Sequence, residues 1–456
     1  MNPETSVRDT SDTGAFRIIP RAAHSLSRKS ISAGALRVLY RLNEAGYQAF
    51  LVGGAVRDLL LGGHPKDFDI ATNATPEEVR ALFRNCRLIG RRFRLAHVVF
   101  GREIVEVATF RGSGASDQEG DRHMIDGRLV RDNIYGSIEE DAVRRDFTVN
   151  ALYYDIADFS VRDYVGGMAD LEHRVMRLIG EPEARYREDP VRMLRAARLA
   201  AKLGFSIAPE TAAPFATLGP LLGEAPPARL FDESLKLFLG GYGLASFRAL
   251  ERYGLLGQVF PATARVLADS DDPPFRRLLV QTFASTDERV RDDKPVTPAF
   301  LFAALLWEPV RALAQKLIDE GAESPWAWSH AGERVLREQA QRVAIPRRFA
   351  VMIEEIWTLQ ERFWQRTKKR AFRLLEHPRF RAAYDFLLLR ADESPDIAEL
   401  GAWWTEAQQL GHDELAEHMA AAPPSATESA APAAKRKRRR RRKPARPGDG
   451  GSAGGT

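Results

Sequence analysis

Between Val165 and Arg185 the hydrophobic period of this 456-residue chain changes and does not change back. Upstream, two periods alternate. Ala35, Val38, Leu39 and Leu42 mark one side of a helix expected from Ile31 to about Ala45. Strand-like runs follow at Gln48–Val52, Phe68–Ala71, His97–Phe100 and Ile104–Phe110, with a helix over Pro76–Asn85 among them. Beyond Asp189 only helical spacing remains, carried by Leu194, Leu199 and Leu203, then by Leu230, Leu235 and Leu239, and onward through Leu389. A sheet covered by helices and a purely helical body bury apolar surface in different ways, so the switch separates two structural regions. The expected fold is an α+β head with a mixed sheet, then an all-helical C-terminal region. No internal repeat is visible.

Charge is as unevenly placed as period. The net charge is +5, yet Lys435–Lys443 is an unbroken basic run, and from Ala420 onward ten basic residues face only Glu428 and Asp449. The rest of the chain is therefore slightly acidic. Ala, Pro, Ser and Gly surround the basic run and offer too little apolar surface to order it, so residues 420–456 are expected to form a disordered basic tail. Cys86 is the lone cysteine, which excludes an intramolecular disulfide and any multi-cysteine zinc or iron–sulfur site and points to a reducing compartment. Residues 1–30 read as a polar extension without a signal-peptide core, and no run approaches ~18 apolar residues. A cytoplasmic protein without membrane insertion is expected.

Chemistry concentrates in the head. Gly53 and Gly54 end a strand, Arg57-Asp58 follow, and Asp67-Phe68-Asp69 come shortly after. A glycine pair permits a sharp turn and close approach to a phosphate, although a plain tight turn uses it equally well. Asp67 and Asp69, two apart on an expected strand, fall on one face, where their carboxylates can converge on a cation. Mg²⁺ takes few carboxylates and completes its shell with phosphate oxygens and water, so such a pair suits it better than a full protein cage; a solvated Asp-x-Asp turn is the plainer alternative. Glu106 interrupts the apolar strand between Val105 and Val107 and is the candidate third carboxylate, although an edge-strand glutamate, or one salt-bridged to Arg111, fits the pattern equally well. Asp146 and Asn150 share a face if their segment is helical, as do Asp189 and Arg192, though a surface ion pair has the latter spacing too.

In combination these segments resemble a known family. FLVGGAVRDLLLG with KDFDIATNATPEEV is similar to the head signature of the class II nucleotidyltransferases, which include tRNA CCA-adding enzymes and bacterial poly(A) polymerases. RRDFTVNAL (Arg144–Leu152), YVGGMADL (Tyr164–Leu171), REDPVRMLRAARLAAKLGF (Arg187–Phe205) and ARLFDESLKLF (Ala228–Phe238) resemble its second to fifth motifs, in order. The resemblance implies a nucleotidyltransferase head at 31–170, a neck at 171–240 with nucleotide-base and RNA-binding elements, and a helical RNA-binding body at 241–419. It also implies roles: Asp67 and Asp69 for two Mg²⁺ ions (Mn²⁺ has the same oxygen chemistry), Glu106 completing the catalytic carboxylates, Gly53, Gly54 and Arg57 for the triphosphate, and Arg111 among the nucleotide-binding residues. Arg145, Asp146 and Asn150 would contact ribose and phosphates, and Asp189 with Arg192 would read the incoming base.

LIGRRFRLAHV (Leu88–Val98) resembles the poly(A) polymerase branch, with Arg91, Arg92 and Arg94 around Phe93 suited to single-stranded RNA. The basic tail, including Lys435, Arg436, Arg438 and Arg439, suits nonspecific phosphate binding. His412-Asp413 lacks the spaced upstream histidines of a metal phosphohydrolase. The expected activity is template-independent addition of AMP from ATP to RNA 3′ ends, serving RNA turnover, with RNA-decay proteins as candidate partners. CCA addition to tRNA is the main rival, and a non-catalytic RNA-binding protein the distant one.

Overall fold

The structure, a computed structural model, describes residues 16–90, 94–112, 122–125, 128–132, 134–269, 274–366, 368–410 and 414. Its N-terminal part is built on an eight-stranded sheet of β1 (Arg17–Ile19), β2 (Ala49–Val52), β3 (Asp69–Thr72), β4 (Cys86–Ile89), β5 (Leu95–Phe100) and β6 (Glu103–Thr109), completed by two later strands. A separate hairpin of β7 (Arg122–Ile125) and β8 (Arg128–Asp132) intervenes before those two, β9 (Leu152–Asp155) and β10 (Val161–Asp163). The order across the sheet is β1-β10-β9-β2-β3-β6-β5-β4. β3 and β6 run parallel and the other neighbours antiparallel.

The two faces of this sheet are covered unequally, and that positions the site. On one face lie α1 (Ala33–Glu44), α2 (Gly54–Leu60) and α3 (Pro76–Leu82). α1 is capped by Ser32, whose Oγ accepts the Ala35 N–H at 3.1 Å, and its apolar side, Ala35, Val38, Leu39 and Leu42, is fully buried. Thr75 and Glu78 form a reciprocal capping box at the start of α3, with Pro76 in the first turn. On the other face, α4 (Ile138–Arg144) covers only a small patch, where Ile138 and Ala142 meet Phe50, Val52, Ala71, Phe110 and Tyr153. Beyond that patch the same face, with Asp69, Glu106 and Ala108, forms one wall of a cleft.

Beyond the sheet the chain is helical, as its spacing predicts. α5 (Gly167–His173), α6 (Pro182–Glu188) and α7 (Val191–Leu203) lead from the head into helices that run to Ala407. A short parallel pair, β11 (Val175–Met176) with β12 (Ser206–Ile207), is the exception. One apolar core continues from the head into the helical region, and a second, around Phe363, Phe380 and Trp404, serves the last helices.

Two local expectations change. Residues 16–30 are not a mere extension: Arg17–Ile19 pairs with β10, and Leu26 and Ile31 are buried. A three-residue edge strand carries too short an alternation to be read in sequence. α3 ends at Leu82 rather than Asn85, because Phe83 turns to an extended conformation that leads into β4. Arg91, Arg92, His412-Asp413 and the tail from 415 onward, with Lys435, Arg436, Arg438 and Arg439, lie outside the described residues.

Candidate active site

A single register row crosses the whole sheet: Ile18, Arg162, Tyr153, Val52, Asp69, Glu106, His97 and Arg87 are successive partners from β1 to β4. Residues directly paired across strands present their side chains on the same face. Asp69 and Glu106 therefore stand side by side on the cleft face, one strand apart. On the opposite face, Val105 and Val107 point into the core, which is why Glu106 breaks an otherwise apolar run. Glu106 is on an interior strand, not an edge, and its carboxylate meets a histidine: His97 Nε2 lies 3.3 Å from Glu106 Oε2.

Asp67 precedes β3 rather than lying on it. The alternation nevertheless extends to it, because Phe68 is buried while Asp67 and Asp69 are exposed. Asp67 and Asp69 together line a cavity of about 660 Å³ with Gly54, Arg57, Lys66 and Lys202. Asp69 also lines a second cleft of about 310 Å³, with Glu106, Arg111, Arg145, Asp146, Asp189 and Arg192. Asp69 is thus the wall common to both spaces. Its carboxyl is pushed up to about 6, first by desolvation and then by the neighbouring Glu106 carboxylate, against the opposing pull of Arg145. One side of Asp69 is open to solvent, yet the acid sits low in the cleft among other carboxylates. A cation there would relieve that repulsion. Among the described residues no three His, Cys, Asp or Glu side chains form a ready-made ion cage. The donor set therefore fits an ion such as Mg²⁺ that draws the remainder of its shell from substrate phosphate and water.

The cleft walls are held by buried ion pairs. Arg145, at the C-terminus of α4, donates to Asp141 Oδ2 at 2.9 Å and to Tyr153 Oη at 2.8 Å, and Tyr153 in turn donates to Asp141 at 2.7 Å. Burial opposes the Arg145 charge, but Tyr153 and Asp141 outweigh it and hold the guanidinium firmly ionised. Asp146 follows in a loop, and Asn150 ends a short 3₁₀ turn, so no continuous helix joins them; they meet through Asn150 Nδ2 donating to Asp146 Oδ1 at 3.1 Å. Arg195 on α7 grips Asp146 Oδ2 at 2.5 and 3.1 Å. Arg57 donates to Asn150 Oδ1 at 2.5 Å and to Asp58 at 2.8 Å. A chain of polar contacts thus runs from α2 through the head loop to α7.

Asp189 and Arg192 both face the cleft but do not pair with each other. Asp189 ends α6 in an extended conformation, and Pro190 precedes α7, so the two side chains converge across a helix break rather than along one helix. Arg229 clamps Asp189 at 2.8 and 2.6 Å, while Arg192 donates to Glu188 and to the Arg185 carbonyl, each at 2.8 Å. Arg94 pairs with Glu77. Asp141, His97, Arg195 and Arg229 are site residues that sequence reasoning missed. The i,i+4 spacing of Asp141 and Arg145 was a usable signal, and His97, Arg195 and Arg229 lay within quoted motifs, but only the strand register sets His97 beside Glu106.

Gly53 carries its own constraint. At φ 75° and ψ −138° it occupies a region essentially reserved for glycine, where β2 turns into α2. Gly53→Ala is expected to destabilise the fold by about 1–3 kcal/mol and to lower nucleotide-dependent activity, read from denaturant unfolding and primer extension of the same variant.

Comparison with known proteins decides the family. Residues 49–177 match the Poly A polymerase head domain, 204–267 the probable RNA and SrmB binding site of polymerase A, and 320–444 the polymerase A arginine-rich C-terminus. The chain is 56% identical over 397 residues to poly(A) polymerase I of Escherichia coli O6:H1, covering 86% of this chain and 85% of that protein. The chain belongs to the poly(A) polymerase family. The family's kinship with CCA-adding enzymes is visible as well: that of Geobacillus thermodenitrificans is 41% identical over 221 residues, 48% of this chain and 53% of its own length. The solved Thermotoga maritima CCA-adding enzyme complexed with tRNA has the same fold, with a TM-score of 0.59 at 20% identity over 87% of this chain and 86% of its own. The nucleotidyltransferase fold read from the motifs is thus the fold observed. Among the described residues no helix is long and apolar enough to cross a membrane.

Proposed function

We propose that this chain is a template-independent polynucleotide adenylyltransferase that joins AMP from ATP to RNA 3′ ends and releases pyrophosphate. The observation that carries this reading is the 56% identity to a poly(A) polymerase I across 86% of the chain, where the CCA-adding match spans about half. Asp67 and Asp69 would hold two divalent ions, Mg²⁺ or Mn²⁺, with Glu106 completing the carboxylate set. Such ions, when bound, lower the barrier by activating the attacking hydroxyl and stabilising the departing oxygen.

The chain's own groups supply position and charge. Gly53 and Gly54 allow the triphosphate to approach the backbone, and Arg57, held by Asp58 and Asn150, orients that wall. Arg111 and Arg145 face the phosphates. Asp146 and Asn150 offer an acceptor and an amide to the ribose hydroxyls. Asp189 and Arg192 select adenine, and the Arg229 and Glu188 contacts fix them before the base arrives, which reduces the ordering cost of binding. Arg94, Arg91, Arg92 and the tail residues Lys435, Arg436, Arg438 and Arg439 hold RNA phosphates. In-line attack on the α-phosphorus needs no covalent enzyme intermediate, so positioning and electrostatics supply the rate. The head, neck, body and tail at 31–170, 171–240, 241–419 and 420–456 divide these tasks, in a cytoplasmic enzyme of RNA turnover that meets RNA-decay proteins.

Extension of a labelled unstructured RNA and of a tRNA lacking its CCA end, with each nucleotide separately, tests the reading. Long ladders with ATP alone on the unstructured RNA are expected. Addition that halts after C, C and A on the tRNA alone would make this a CCA-adding enzyme, and no extension of either RNA would leave a binding protein.

A further inference from the structure

Glu106 has two neighbours in its register row. Asp69 stands on one side and His97 on the other, with His97 Nε2 at 3.3 Å from Glu106 Oε2. We propose that His97 is a positioning residue for RNA extension, its Nε2–H fixing the Glu106 carboxylate on the cleft wall beside Asp69. The inference rests on the role proposed above for Glu106.

A glutamate side chain has three torsions to order, and that of Glu106 is 41% exposed, so strand geometry alone does not fix its carboxylate. Repulsion between the two neighbouring carboxylates favours its drift away from Asp69. His97 opposes that drift from a fixed base. It lies on β5, between β4 and β6, with Ala96 and Val98 locked into the core on either side and its own ring only 23% exposed. Nε2 carries a hydrogen both in the imidazolium and in one neutral tautomer, so the contact does not depend on the ring changing charge.

Steady-state extension of a labelled unstructured RNA by His97→Ala, His97→Gln, Glu106→Gln and the His97→Ala/Glu106→Gln double variant, each with a melting curve, tests this. His97→Ala is expected to lower kcat about 10- to 100-fold, with KM for ATP and for RNA changed less than about threefold, the scale of a misplaced catalytic group. His97→Gln, whose amide nitrogen can donate in place of Nε2, should recover most of the loss. In the Glu106→Gln background, His97→Ala should cost less than about twofold more, because the group it positions is gone. If His97→Ala melts early, His97→Leu fills the volume without a donor and replaces it in the comparison. Unchanged kcat in the donor-free variant, a raised KM for RNA with kcat preserved, or losses that multiply in the double variant would each overturn the proposal. Wild-type activity in Glu106→Gln would reject the role of Glu106 itself. An inactive Glu106→Gln beside a fully active His97→Ala would reject only the inference about His97.

Discussion

Asp69→Asn is expected to reduce kcat for RNA extension by at least about a thousandfold while leaving the metal-free protein more stable, by about 1–3 °C in Tm. The two effects share one cause. Asp69 lies where burial and the Glu106 carboxylate both disfavour its charge, and Arg145 compensates only in part. On the function proposed above, the acid would serve a cation and a triphosphate rather than the apo structure. The amide keeps the size of the side chain and removes the repulsion, together with the charge that a cation requires. Thermal unfolding in chelator and primer extension in Mg²⁺, on the same preparation, check both halves. A variant that retains activity, or that is less stable than the parent without metal, would remove Asp69 from the centre of the site.

Asp146→Ala has the opposite signature, with activity and stability falling together. Asp146 is the junction between the head loop and α7, accepting from Arg195 at 2.5 and 3.1 Å and from Asn150 at 3.1 Å. Burial raises its carboxyl, but Arg195, Asn150 and the Phe147 N–H outweigh that and hold it below the ordinary carboxylate range. Removing one partner of such a pair leaves the half-buried Arg195 with only the more distant Glu233 and Asp189 to offset its charge, and a loss of about 1–3 kcal/mol is expected in denaturant unfolding. The sign with pH follows from the lowered value. The Asp146 contribution is complete above the unfolded carboxylate value, near ~3.9, and disappears as pH falls through the folded value below it. Asp146→Asn should therefore lower stability at neutral pH and flatten the acid limb of Tm against pH. An unchanged acid limb would mean that the Arg195 contact does not form in solution.

These residues differ in how far the chain alone discloses them. The strand–Gly-Gly–helix entry, the Asp-x-Asp pair and the helical remainder are local, and local spacing is what a sequence carries. α1 shows this well: Ala35, Val38, Leu39 and Leu42 follow the 3.6 period and are all buried. Asp67 and Asp69 could be singled out because two acids flanking one apolar residue fall on one face of an extended segment, and the motif around them separated the pair from a solvated turn. The ordered motifs then fixed the family, since five matches in sequence constrain far more than any one.

Register and long-range pairing were decided only in three dimensions. His97 faces Glu106 because β5 and β6 are aligned by their turn and core residues, and a shift of one residue would have sent it into the core. Arg195 reaches Asp146 and Arg229 reaches Asp189 across 49 and 40 residues. No spacing rule spans such distances. Asp189 and Arg192 looked like one helical face; Asp189 is instead extended just ahead of α7, and the Arg192 N–H donating to its carbonyl at 3.1 Å closes a local turn between them, while Arg229 comes from a distant helix. The sequence by itself determined which chemical groups are present, the strand or helix that carries most of them, and the family. The tertiary structure decided which of those groups meet, because contacts between distant segments depend on how whole elements pack, and that is set by the shared core rather than by any local run of residues.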